Sequence, residues 1–203
     1  MKQKFLIAFL FIAGLIIVAC NQQSAATKEL PAKEETANTA FGGYASQVKW
    51  GEHLVNILGC QDCHTPKKMT PMGPDLDSSL AFSGHPAQMP PPPVDRKMAE
   101  SKGLGITQTL TAWVGPWGIS YAGNLTSDST GIGNWKEEQF MYAIREGKFK
   151  GLPNARPLLP PMPWASYRNM SDDELKAVFA FLKTTKPIHN IVPNAAPPVT
   201  AMK

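Results

Sequence analysis

The chain has 203 residues, of which 43% are hydrophobic, and a formal net charge of +4. Such a weak basic bias argues against a nucleic-acid partner, which calls for a strong positive field. The stretch 41–193 has a size that suits a single hydrophobic core.

In chain order, the first feature is a short basic start, Lys2 and Lys4, followed by the uncharged apolar run 5–19. Charge and length together mark a secretory signal. The run is shorter than the roughly 20 residues that a membrane-crossing helix needs. Its end, Ile17-Val18-Ala19-Cys20, resembles the lipobox of bacterial lipoproteins, in which the cysteine is lipidated and becomes the first mature residue. We therefore expect a lipoprotein signal peptide over 1–19 and a lipidated Cys20. Residues 20–40 are polar and lack aromatics, and they read as a flexible tether that cannot bury enough apolar surface to fold alone.

A first helix is predicted over 44–58, where Val48, Gly51, Leu54, Val55 and Leu58 recur at helical spacing. Directly after it stands Cys60-Gln61-Asp62-Cys63-His64. C-x-x-C-H is the attachment signature for c-type haem. Two thiols at that spacing can add to the two vinyl groups of one porphyrin, and the histidine can ligate the iron. A zinc site would need about four protein ligands, and no second cysteine pair exists. A thioredoxin-like redox pair belongs in a βαβ unit, which the flanking sequence does not suggest. The cysteine count then closes: Cys20 takes lipid, Cys60 and Cys63 take one haem c, and none of the three remains for a disulfide. Haem attachment of this kind takes place outside the cytoplasm, the compartment to which the signal also points.

Residues 65–133 show poor periodicity and read as a long irregular insert. Within it Met89-Pro90-Pro91-Pro92-Pro93 reads as exposed polyproline, and 107–114 is β-favourable. A second helix is expected over 134–147, with Asn134 as cap, Glu137 completing a capping box, and Phe140, Met141 and Ile144 as its inner face. Gly147 suits its stop. A third helix follows the capping box Ser171-Asp172-Asp173-Glu174, with Leu175, Val178, Phe179 and Leu182 as one stripe before Pro187. Residues 194–203 read as a flexible tail.

Iron held by His64 on one face requires an assignment for the other. Soft thioether or imidazole ligands are the candidates. Met162 is the choice, because Pro160, Pro161 and Pro163 stiffen its loop and remove amide donors. Trp164 and Leu159 can wall the site off from water. His85 is the rival, in a bis-histidine arrangement. His53, one helical turn before the motif, and His189, after the last helix, read as surface residues. Met69, Met72 and Met89, in proline-bearing loops, read as gap-fillers.

Taken together, Gly51-Glu52-His53-Leu54-Val55, the Cys60–His64 motif, Pro161-Met162-Pro163 and the last helix resemble a class I cytochrome c. The chain is more closely similar to the haem domains of bacterial cytochrome subunits that serve membrane-bound dehydrogenases. That likeness rests also on Asn124-Leu125-Thr126-Ser127-Asp128, Gly131-Ile132-Gly133-Asn134-Trp135, Ala143-Ile144-Arg145-Glu146-Gly147 and Pro161-Met162-Pro163-Trp164. The resemblance implies a mainly α fold, with the N- and C-terminal helices crossing near Gly51 around a covalent haem. It implies His64 and Met162 as axial ligands, with Asn124, Trp135 and Arg145 lining or bracing the pocket. Dehydrogenase subunits often carry several haem domains, and this chain has one C-x-x-C-H.

The expected function is electron transfer, without catalysis, by a lipid-anchored domain facing the periplasm or another extracytoplasmic space. Redox proteins such as a dehydrogenase, an oxidase or another cytochrome would be its partners. The alternatives are a haem enzyme, such as a peroxidase or sulfur-compound oxidase, and a sensor whose sixth ligand is labile.

Overall fold

A computed structural model describes residues 39–199. The expected signal peptide over 1–19, Cys20 and all but the end of the tether lie outside the described residues. The domain is mixed α/β: mostly helical, with two small antiparallel sheets.

Two helices frame it. Helix α1 (Gln47–Ile57) starts at Ser46, whose hydroxyl accepts from the amide of Lys49. Helix α6 (Asp172–Leu182) starts at Ser171 with the full capping box: Ser171 Oγ accepts from the Glu174 amide, and the Glu174 carboxylate accepts from the Ser171 amide at 2.7 Å. Three acids in its first turn also oppose the helix dipole. The two helices meet at Gly51, where a Cβ atom would fall 1.9 Å from the Ala177 carbonyl oxygen. Only a glycine permits backbone to approach backbone this closely. Leu54 and Val55 of α1 and Leu175, Val178 and Leu182 of α6 are buried together, as the stripes predicted.

Helix α4 (Glu137–Arg145) is shorter than the sequence suggests. Asn134 does not cap it. The residue belongs instead to a turn in which Gly133 donates to the Asp128 carbonyl and Trp135 to that of Ile132. Lys136 precedes the helix without a side-chain cap, and the expected capping box does not form. Gly147, at φ 59°, turns the chain after the helix, and the Trp164 ring packs on it. Phe140 and Ile144 of α4 join the core that α1 and α6 form.

The insert 65–133 holds both sheets, which the mainly α expectation did not include. Strands β1 (Lys67–Thr70) and β2 (Gly73–Leu76) form a hairpin. Helix α3 (Arg96–Ser101) then leads into β3 (Ile106–Thr107), β4 (Ala112–Gly115) and β5 (Gly118–Tyr121), an antiparallel sheet in that order. Pro116 and Gly118 suit the tight turn between β4 and β5. Ala99, Val114 and Ile119 form a second buried cluster under this sheet. The 89–93 stretch is only partly exposed: Pro92 is buried, and the Met89 carbonyl accepts from His85.

Residues 194–199, expected as part of a flexible tail, are tied to this cluster. Ala196 exchanges both backbone hydrogen bonds with Ile119, at 2.8 and 3.1 Å. Buried Glu100 accepts from the Val199 amide at 2.7 Å and pairs with Arg96, which also donates to the Pro197 carbonyl at 2.6 Å.

Candidate haem-binding site

Cys60, Cys63 and His64 form most of the short helix α2 (Cys60–His64). Positions i, i+3 and i+4 share one helical face, so both thiols and the imidazole project to the same side. Both cysteines are free thiols. Burial pushes the Cys60 thiol up to about 11 and also raises that of Cys63, against a smaller opposing pull from Lys67. The pair therefore stays protonated at neutral pH, unlike the depressed thiolates of disulfide oxidoreductases.

His64 Nδ1 lies 2.7 Å from the Gly123 carbonyl oxygen. A carbonyl only accepts, so Nδ1 carries the proton, and the lone pair of Nε2 remains for a metal. Desolvation by burial holds the imidazole below its ordinary pKa, outweighing the upward effect of the Gly123 bond, and so favours the neutral, ligating form. The partner carbonyl is fixed by its neighbours. Ala122 donates to Thr111 and accepts from the His85 amide, and next in the chain Asn124 anchors the following loop. The motif is held from the other side as well, since the Gly84 amide donates to the His64 carbonyl and the Phe82 amide to Thr65 Oγ1.

These three side chains and Met162 line one cavity of about 480 Å³, within the range usual for cofactor sites. Ile144, Leu158, Leu159 and Val178 supply apolar wall. The Met162 loop is closed by its amide donating to the Leu159 carbonyl at 3.2 Å. Tyr167, one turn into helix α5 (Trp164–Tyr167), donates to the Leu58 carbonyl at 2.7 Å, tying this loop to the end of α1 just before the motif. Two thiols and a free imidazole nitrogen on one face, with a thioether in the same apolar cavity, fit a covalently attached haem. Among the described residues no group of three or more His, Cys, Asp or Glu side chains could hold a metal directly.

Two of the remaining candidate residues line this cavity. Trp135 does, and so does Asn124, whose side chain is fully engaged. Asn124 donates to Thr130 Oγ1 and to the Ile188 carbonyl, while its Oδ1 accepts from Thr126. Arg145 and Trp164 lie outside the cavity wall. Arg145 joins the end of α4 to the start of α6 through Asp172, at 2.6 Å, and the Arg168 carbonyl. Trp164 faces the end of α4, where it covers Gly147, and the Arg168 guanidinium lies 5.5 Å from its ring.

His85 is fully buried with both nitrogens engaged, by Thr111 Oγ1 at 2.9 Å and the Met89 carbonyl at 2.8 Å. It has no lone pair to offer. His53 stacks on Tyr44, and His189 is exposed beside Asp128. Met69 and Met72 stand in solvent around the hairpin turn, 79% and 96% exposed, so they fill no gap.

Sequence reasoning missed Gly123, Ser120 and the wall segment around Val192. A backbone carbonyl leaves no side-chain signal, and Ser120 is an ordinary strand residue until the fold brings it to the cavity.

The chain is homologous to cytochrome c subunits of bacterial dehydrogenase complexes. It is 37% identical over 149 residues to the gluconate 2-dehydrogenase cytochrome c subunit of Pantoea cypripedii, covering 73% of this chain and 24% of that protein. With the alcohol dehydrogenase (quinone) cytochrome c subunit of Gluconobacter oxydans it shares 34% identity over 155 residues, 75% of this chain and 24% of that protein. A shorter match, 36% over 75 residues, joins 36% of this chain to 15% of the fructose dehydrogenase cytochrome subunit of Gluconobacter japonicus. The chain thus spans about a quarter or less of the length of these relatives. No protein-family model matches it.

Proposed function

We propose that this chain carries one covalent haem c and transfers electrons between a dehydrogenase and the respiratory chain. The observation that carries the reading is the His64 Nδ1–Gly123 bond, which frees Nε2 inside the cavity that Cys60, Cys63 and Met162 share. A bound haem supplies reversible one-electron chemistry at its iron. The chain's own residues do the rest. Cys60 and Cys63 would hold the macrocycle through thioethers, and His64 and Met162 would ligate its iron. Asn124 fixes the loop after Gly123, Trp135 adds wall, and the apolar lining keeps water out, which with methionine ligation favours a higher reduction potential. With both His64 and Met162 engaged, the iron would offer no position to a substrate, so the role is that of a carrier, without catalysis of its own.

The architecture on this reading is a class I cytochrome c fold with α1 and α6 as its crossing helices. The relatives' names support a dehydrogenase as one redox partner, met through a small, transient interface. An extracytoplasmic location follows from haem attachment, with Cys20 as the lipid anchor. Among the described residues no helix is long and apolar enough to cross a membrane.

The ferric protein should show the near-infrared charge-transfer band of thioether-ligated haem. Met162→Ala should abolish the band and let the reduced protein bind carbon monoxide. A mutant that keeps the band overturns the Met162 assignment. Wild-type ferrous protein that binds carbon monoxide readily would point to an enzyme or a sensor instead.

A further inference from the structure

The Met162 loop is poor in the means of holding itself. Pro160, Pro161 and Pro163 have no amide hydrogen, and the single bond from the Met162 amide to Leu159 closes only one turn. After the methionine, Tyr167 ties the chain to the Leu58 carbonyl; before it, the second sheet supplies a further bond. Ser120, buried on β5 and lining the cavity, donates from Oγ to the Pro160 carbonyl at 2.6 Å. Trp117, in the turn before β5, donates from Nε1 to Ser120 Oγ at 2.9 Å. The serine hydroxyl is thus filled as acceptor by the indole, and its one proton is directed at the loop. The indole is placed in turn by Gly115, where a Cβ atom would come within 2.5 Å of the ring. The second sheet therefore meets, at the cavity wall, the carbonyl two residues before the methionine.

We propose that Ser120 is a positioning residue for the thioether ligand, with Trp117 orienting its hydroxyl, so that the sheet in the insert holds the sixth ligand in place. The proposal rests on the reading of Met162 as that ligand. A thioether is a weak ligand, and a loop held close to the iron resists its replacement by a competitor. Without the brace the carbonyl of Pro160 loses its donor, and the loop gains freedom to withdraw.

The test uses the ferric holoprotein, with imidazole as the competing ligand and the near-infrared thioether band as the readout. Ser120→Ala should bind imidazole on the order of 5-fold more tightly than wild type, the shift that loss of one hydrogen bond brings. Trp117→Phe, which removes only the indole donor, should move in the same direction by less. Ser120→Thr, which keeps the hydroxyl, should restore wild-type behaviour. Thr107→Val breaks the bond from Thr107 Oγ1 to the Ala112 carbonyl in the same sheet and should leave imidazole affinity unchanged. If Ser120→Ala does not fold, Trp117→Phe against Thr107→Val decides. Wild-type affinity in folded Ser120→Ala, or an equal shift in Thr107→Val, overturns the proposal while leaving Met162 as the ligand. Absence of the thioether band from wild type overturns the Met162 reading itself, and this inference with it.

Discussion

His85 and His64 are both drawn into the interior, and their neighbours give them opposite chemistry. His64 spends one nitrogen on a carbonyl and keeps the other free. His85 donates from Nε2 to Met89 and accepts at Nδ1 from Thr111, whose hydroxyl also meets Thr109 Oγ1 at 2.8 Å. Burial lowers its pKa, against a smaller upward effect of the Met89 bond. The unfolded chain, where histidine titrates near about 6.5, therefore takes up the proton first. Stability from neutral His85 is complete above that value and is lost as pH falls toward the lower folded value. Chemical denaturation should show a lower midpoint at about pH 5 than at about pH 8, and His85→Gln should reduce the difference, the remainder coming from His64, whose pKa burial lowers too. The carboxylates whose pKa values are lowered, Asp77 and Asp128, titrate further into acid, which keeps the two effects apart.

At the scale of elements, the contact between α1 and α6 has no side chain to yield. Gly51→Ala would set a methyl 1.9 Å from the Ala177 oxygen and 2.9 Å from Phe181 Cβ, so the helices must separate. We expect a loss of about 1–3 kcal/mol, the usual cost of overpacking, measured by equilibrium unfolding. These two helices were legible in the sequence because each buries one stripe; the serine cap was anticipated only for α6, and α1 begins at Gln47, after the Ser46 cap, later than the expected 44. The sheets were legible only at 107–114, whose ends fall in β3 and β4, and the rest was hidden for physical reasons. All four residues of β4 are buried, so Ala112-Trp113-Val114-Gly115 shows no alternation. The β1–β2 hairpin, by contrast, has no buried residue, and no apolar face marks it. Asn134 misled as a cap because the turn before α4 claims it, a tertiary choice that local spacing does not reveal. Residue type and the proline-rich loop singled out the motif and Met162, which the structure places on one cavity, whereas the Gly123 carbonyl and the Ser120–Pro160 bond exist only once distant strands are in place.

For the whole molecule, the expected signal and anchor precede the described domain. The apolar run and Cys20 lie outside the described residues, and their reading as signal and anchor is tested on the full chain. Cys20→Ala should release the haem-bearing protein from the membrane fraction while leaving its absorption spectrum unchanged, and continued membrane retention would dismiss the lipid anchor. Within the domain, on the proposed reading, the two sides of the iron would be governed differently. The partner of His64 is a main-chain oxygen, which every amino acid supplies, so no single substitution deletes that acceptor. The proposed brace of Met162 rests on two side chains, Ser120 and Trp117, each one codon change from loss. On that reading the histidine side is inherited with the fold, while the thioether side is open to selection. Descendants of this chain would then diverge in potential and ligand exchange through the sheet alone, without altering how the haem is attached.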